Sequence, residues 1–238
     1  MRNFLNVSAQ ESKGFHAPIY FNARKLKNEA LLLAENKAYS TATSLTVLST
    51  EELIKAILVL LHSEKYKVYR LKEAHKFFKD HSIRHHLAQL IETGVGLLEA
   101  KEKWNSSKLN KMSSNTSFIG SILHALYSSY NAYKPISNSK ERIKKLQEFN
   151  DLKNQGFYVD YSDGLKVPID QILINDFYVT IEINQRIMTF YKKLRLLFHP
   201  LINKYLSEKE VVNRKENLHL FIDDALDGFL FNELKNLK

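Results

Sequence analysis

The chain of 238 residues has no cysteine. Disulfides, thiolate metal sites and cysteine nucleophiles are therefore excluded, and a chain without disulfides is compatible with a reducing compartment. Glycine (7) and proline (4) are scarce. Many short strands joined by tight turns would need more of both, whereas long helices need neither. Long hydrophobic runs are missing too. The most apolar stretch, LIKAILVLL at 53–61, carries a lysine and is far too short to span a bilayer. The opening residues MRNFLNVSAQESKGF contain no apolar core of a secretory signal. These absences predict an all-α, cytoplasmic protein without a membrane segment.

Positive charge is what the chain does have: 35 Lys and Arg against 26 Asp and Glu, a formal net charge of +9. Such an excess favours polyanionic partners, whether nucleic acid, ribosome or an acidic protein, and serves solubility equally well. With 44% hydrophobic and 11% aromatic residues, one core is expected. The expected organisation is a single domain, 1–238, with a bundle core over about 22–134 and an extension, 135–238, packing on it.

Apolar spacing predicts the helices. Residues 22–37 carry a stripe of Leu26, Ala30, Leu31 and Leu33 with a polar back. Residues 40–65 are apolar around most of the circumference, as a central buried helix would be. Ser49 with Glu52 has the spacing of a capping box, but no Gly or Pro interrupts the run, so one long helix is expected. A short helix is expected within 66–80, a longer one over 81–104, a polar loop at 105–117 and a helix at 117–134. Residues 137–156 read as an exposed basic helix capped by Gly156. Residues 157–168 form the one extended segment, with a turn at Ser162-Asp163-Gly164. A helical pattern then runs from Pro168 to about Tyr205, kinked at His199-Pro200, and an amphipathic segment at 217–237 closes the chain.

Two polar clusters interrupt this apolar pattern. Glu51, Glu52 and Lys55 lie on the helix that looks buried; Lys55 shares a face with each glutamate. As a pair at a helix start they could be an ordinary surface salt bridge. The stretch KDHSIRHH at 79–86 places His81, Arg84 and His85 on one helical face. No HExxH sequence accompanies these histidines and few acids stand near them, so no metal and no cofactor is expected. A histidine close to its ordinary pKa can move a proton, and a neighbouring arginine can hold a phosphate. His81, Arg84, Glu52 and Lys55 are thus the candidate catalytic set for metal-free RNA cleavage, with His85, Lys79 and Lys76 as candidate RNA contacts. Arg70 and His75, separated by four residues, are an alternative pair. The competing reading is a solvated basic helix face that binds RNA without cutting it.

Three stretches together resemble the AbiV-type abortive-infection proteins, bacterial anti-phage members of the HEPN superfamily. They are Glu51-Glu52-Leu-x-Lys55; Phe77 followed by His81 and Arg84; and Lys153-x-x-Gly156-x-Tyr158-Val159-Asp160. The resemblance covers roughly residues 24–170. It implies an all-α HEPN-like bundle with long antiparallel helices, often a homodimer. It also implies defence by arrest of the infected host, with translation as target and a phage-encoded protein as activator. Many HEPN proteins are metal-independent ribonucleases marked by an Arg, four to six residues and a His; here Arg84 follows His81, and the literal spacing falls on Arg70 and His75. The substrate would be tRNA, rRNA or mRNA. Service as the partner subunit of a nucleotidyl-transferring enzyme is a further implication of the superfamily.

Overall fold

The computed structural model describes residues 4–70, 74–81, 84, 85, 87–89, 91, 92 and 137–228. The expected loop at 105–117 and helix at 117–134 lie outside these residues. The first two helices are α1 (His16–Glu35) and α2 (Tyr39–Ser63). α1 starts earlier than its apolar stripe. Pro18 sits in its first turn, where the missing N–H had no partner to lose. Both helices end in the same way. Lys37 (φ 60) and Lys65 (φ 67) take the left-handed conformation. The Ala38 and Lys37 amides return to the Leu33 and Ala34 carbonyls, and the Tyr66 and Lys65 amides to Leu61 and His62. These are Schellman closures with lysine in the place usually held by glycine. The first reverses the chain within three residues and lays α2 antiparallel against α1.

α2 is the axis of the molecule, and as expected it is one unbroken helix. Leu53, Ile54, Ile57, Val59 and Leu60 are buried in the main core. Around them pack Ala23 of α1, Phe77, and residues of the later helices: Phe149, Ile183, Ile187 and Tyr191. Residues 66–80 form two 3-10 turns, Val68–Arg70 and Ala74–Lys76, in place of the expected short helix. The described residues from 81 to 92 are helical.

The region expected as one exposed basic helix is two helices, α3 (Ser137–Gln147) and α4 (Phe149–Phe157), broken at Glu148. It is not an exposed element: Arg142, Leu146, Phe149, Leu152 and Lys153 are all buried. Gly156 is not a cap either. It lies inside α4 against α2, where an added Cβ would clash with Ser44 Oγ and stand 2.5 Å from the Ser40 carbonyl oxygen. Its lack of a side chain lets two backbones touch. The Ser44 hydroxyl donates to the Lys153 carbonyl at 2.9 Å across the same contact.

The extended segment is a hairpin of β1 (Asp160–Tyr161) and β2 (Leu165–Lys166), paired antiparallel with Asp160 opposite Lys166. Gly164 turns it at φ 148. Beyond it the expected single long helix is interrupted. α5 (Pro168–Gln171) is one turn, Ile172 and Leu173 are extended, and α6 runs Ile174–Leu197. The Asp176 carboxylate restarts the helix by accepting the Leu173 amide at 2.8 Å, and it also accepts Lys145 Nζ at 2.8 Å. α6 ends at Phe198, ahead of the His199-Pro200 pair. The last described helix, α7 (Glu208–Gly228), opens with a Ser207–Glu210 capping box. Gly156→Ala is expected to cost about 1–3 kcal/mol of unfolding free energy by overpacking. Adding Ser44→Ala should leave most of that loss in place, because the Ser40 carbonyl cannot rotate away; urea denaturation of the single and double variants would check it.

Candidate active site

The helical face at 81–85 meets α2 at Glu51. This carboxylate is buried (2% exposed) and four side chains converge on it. Its Oε2 lies 2.5 Å from His81 Nδ1 and accepts Arg84 Nη2 at 2.9 Å. Its Oε1 lies 3.0 Å from His85 Nε2 and 3.5 Å from Lys153 Nζ. Arg84 also donates from Nη1 to the Phe77 carbonyl at 3.2 Å. The Phe149 ring stands edge-on to His85, 5.5 Å between centroids. All three stretches quoted above therefore end at one oxygen pair. The first supplies the carboxylate. The second supplies the His81 imidazole and the Arg84 guanidinium, which the Phe77 carbonyl steadies, and His85 follows directly. The third supplies the ammonium, with Gly156 bringing α4 close enough for Lys153 to reach.

Burial pushes the Glu51 pKa upward. The hydrogen bonds from His85 and Arg84, and their charges, outweigh it and hold the carboxyl far below the usual carboxylate range. Burial also lowers the His85 pKa; the bond and charge of Glu51 raise it, while Lys153 and Arg84 lower it, and the net shift is downward. His85 is thus a neutral donor of Nε2–H to Glu51. Two permanent cations face a single carboxylate, so the cluster carries net positive charge. A metal ion would have to share that oxygen pair with Arg84 and Lys153, which the donor set disfavours.

His81 differs from the rest. Its side chain is 46% exposed, whereas that of Arg84 is 2% exposed. Because Glu51 is ionised, a lone pair on Nδ1 at 2.5 Å would be repelled, so Nδ1 carries the proton. Arg84 Nη2 also stands 2.7 Å from the same nitrogen, and the ionised carboxylate at 2.5 Å decides the tautomer. This tautomer leaves the lone pair of Nε2 directed away from the carboxylate, and no described residue bonds to it.

The expected site needs three corrections. Glu52 does not face His81; it is paired with Lys55 in a half-buried contact on another side of α2, and the pair does not join the cluster. Neighbouring helical positions point about 100° apart, so only one of two adjacent glutamates can enter the interface. Arg84 is not open to a phosphate, because it is sealed against Glu51. His85 is buried as well (4% exposed) and is no surface contact for RNA. Lys79 is exposed and Lys76 half-buried. Arg70 is exposed at the end of a 3-10 turn, and the His75 side chain lies outside the described residues.

Glu51 and Lys153 stood inside the quoted stretches without a role. A second buried carboxylate, Glu92, gave no signal in the sequence. It accepts Arg142 Nε at 2.5 Å and Arg186 Nε at 2.8 Å, and Arg142 reaches on to Glu182 at 2.7 Å.

The fold and the site define an all-α bundle locked through a buried carboxylate, with one imidazole half exposed at its surface. The sequence model described as AbiV matches residues 11–189, and the chain belongs to this family of abortive-infection HEPN-domain proteins. Searches of curated proteins and of solved structures give no match. Among the described residues, no helix is long and apolar enough to cross a membrane.

Glu51→Ala leaves two buried cations without their counter-ion and should cost roughly 3–5 kcal/mol. Glu52→Ala should cost under about 1 kcal/mol. Comparing the two by chemical denaturation tests which glutamate holds the bundle. The pH dependence has a definite sign. The contribution of Glu51 is complete above the ordinary carboxylate pKa and is lost only as pH falls through its depressed folded value. His85 stays neutral in the fold but protonates below its ordinary value of 6.5 when unfolded. Stability should therefore fall as pH drops below that value, with a limiting slope of about 1.4 kcal/mol per pH unit. His85→Gln should lack this component in urea midpoints compared across the range.

Proposed function

We propose that the protein is an abortive-infection effector that arrests the infected host by cleaving RNA without a metal ion. The observation that carries this reading is the outward Nε2 of His81 on an imidazole anchored at Nδ1 by a charged carboxylate. In the proposed reaction, His81 Nε2 takes the proton of a ribose 2′-hydroxyl. That oxygen attacks the adjacent phosphorus, and a 2′,3′-cyclic phosphate forms. The bond to the 5′-oxygen breaks, and the departing oxygen takes the proton back from Nε2. Glu51 acts as a positioning residue: it fixes the tautomer and stabilises the imidazolium between the two transfers. The net positive charge beneath His81 and the exposed Lys79 favour the phosphate. On this reading the partners are tRNA, rRNA or mRNA, a second copy of the chain, and a phage-encoded activator; family membership supports the defensive role.

A second reading has its own observation. Arg84 and His85 are buried and bonded to Glu51 inside the bundle, so the cluster is also explained as a structural hub, and the basic chain would then block translation by binding RNA or ribosome without cutting it. Incubation of the purified protein with total RNA in EDTA, with and without phage lysate, separates the two. The nuclease reading expects discrete cleavage that falls about 10²–10⁴-fold in His81→Ala, with little change in melting temperature because His81 is half exposed. Intact RNA with a gel shift, or cleavage and host arrest that survive both His81→Ala and His75→Ala, would refute it.

A further inference from the structure

α1 and α6 both rest on α2, and their side chains meet above it. Tyr20 stacks on Tyr191 with centroids 4.5 Å apart, and His16 Nδ1 is 2.7 Å from the Tyr191 hydroxyl. Further along, Lys27 Nζ reaches Gln185 Oε1. The order of these contacts makes the two helices antiparallel. The seam between them gathers cations. Arg24 shares a helical face with Tyr20 and Lys27, Lys192 lies two turns beyond Gln185, and Arg195 follows Lys192 by three residues. Lys193 is exposed beside them. Among the described residues, no carboxylate forms an ion pair with Arg24, Lys27, Lys192, Lys193 or Arg195. Glu29 faces Lys25 at 3.7 Å instead. Burial, and then the charge of Lys192, lower the pKa of Lys27; burial, and then Arg195, lower that of His16. Among the described residues, these like charges thus stand together without an acidic partner.

An exposed ring flanks the cations of α1: Phe21 is 67% exposed and precedes Arg24 and Lys25 by three and four residues, on one side of the helix. Cations that can follow a phosphate backbone, next to exposed rings on which bases stack, are the equipment of single-strand binding. The seam is not the His81 site. On α2, Ser49 donates to the Ala23 carbonyl of α1 at 2.7 Å and accepts Asn184 Nδ2 of α6 at 2.9 Å. Ser44 and Glu51, seven residues apart and so on one face, meet Lys153 on roughly the opposite side.

We propose that the α1–α6 seam is a second nucleic-acid track, which holds a single-stranded RNA segment through Arg24, Lys27, Lys192 and Arg195 with a base stacked on Phe21. It takes from the nuclease reading only the class of ligand. The test therefore uses a ligand that cannot be cleaved: a 2′-O-methyl oligouridine of roughly 20 nucleotides, titrated with the full-length protein by fluorescence anisotropy at several salt concentrations. Lys192→Ala/Arg195→Ala should weaken binding at least tenfold at low salt and reduce the log–log salt slope by about 1.4, or about 0.7 per lost phosphate contact. Phe21→Ala should weaken oligouridine about tenfold and leave heparin binding unchanged. His81→Ala should bind as the wild type does, so a failed nuclease assay leaves this result standing. Unchanged affinity and slope in the double variant would overturn the proposal. So would a Phe21→Ala protein indifferent to the oligonucleotide, which makes the seam a general polyanion surface, or preferential binding to phosphatidylserine vesicles.

Discussion

The structure depends on a single ionised carboxylate placed where water cannot reach it. Removing Glu51 from solvent carries a penalty of several kcal/mol, recovered only if nearly every lone pair is engaged. Arg84, Lys153, His85 and His81 engage them. Each belongs to a segment far away in sequence, so the carboxylate dictates how those segments must dock. Apolar packing alone would tolerate some sliding of α4 and of the 81–92 helix along α2. A charge that must find four partners does not.

The same requirement divides labour among similar side chains. His81 and His85 lie one helical turn apart, yet one is half exposed and the other sealed beneath Phe149. The sealed ring is kept neutral and serves as a donor. The exposed ring is held by one nitrogen, and no described residue bonds to the other. Arg84 looks, from its position, like a ligand for a substrate phosphate; inside the bundle it is the counter-ion that keeps Glu51 charged. Structural and reactive roles are thus fused, and a change at Glu51 would disturb both the docking and the tautomer of His81.

The device is repeated. At the far end of the described 81–92 helix, Glu92 is buried between Arg142 of α3 and Arg186 of α6. That helix is pinned to α2 by the donors it directs at Glu51, the Arg84 cation among them, and to α3 and α6 by an anion it offers to their arginines. The polar seam of Ser49, Thr50 and Asn184 adds a third fixed contact between α2 and α6. Specific polar contacts at these points set the register, and the leucines, isoleucines and aromatics around them supply the bulk of the burial energy.

What the sequence by itself determined was local. Scarce glycine and proline, together with apolar spacing, suffice for an all-α chain, because helix periodicity is written in neighbouring residues. The run at 40–65 disclosed a buried central helix by being apolar around most of its circumference, and Ser162-Asp163-Gly164 disclosed the turn of the extended segment. The stretches around Glu51, His81 and Lys153 were visible as unusual residues. The tertiary structure alone decided which of two adjacent glutamates turns inward, that Arg84 and His85 are consumed in the interior, and that Gly156 is a point of contact between backbones and not a helix stop. It also broke the expected helices at Glu148 and at Ile172–Leu173, where partners distant in the chain, such as Lys145 on Asp176, fix the new start. The reason is physical: a helix face is set by a rotation of 100° per residue, but which face is covered depends on surfaces brought together from more than a hundred positions away, and no local pattern encodes that.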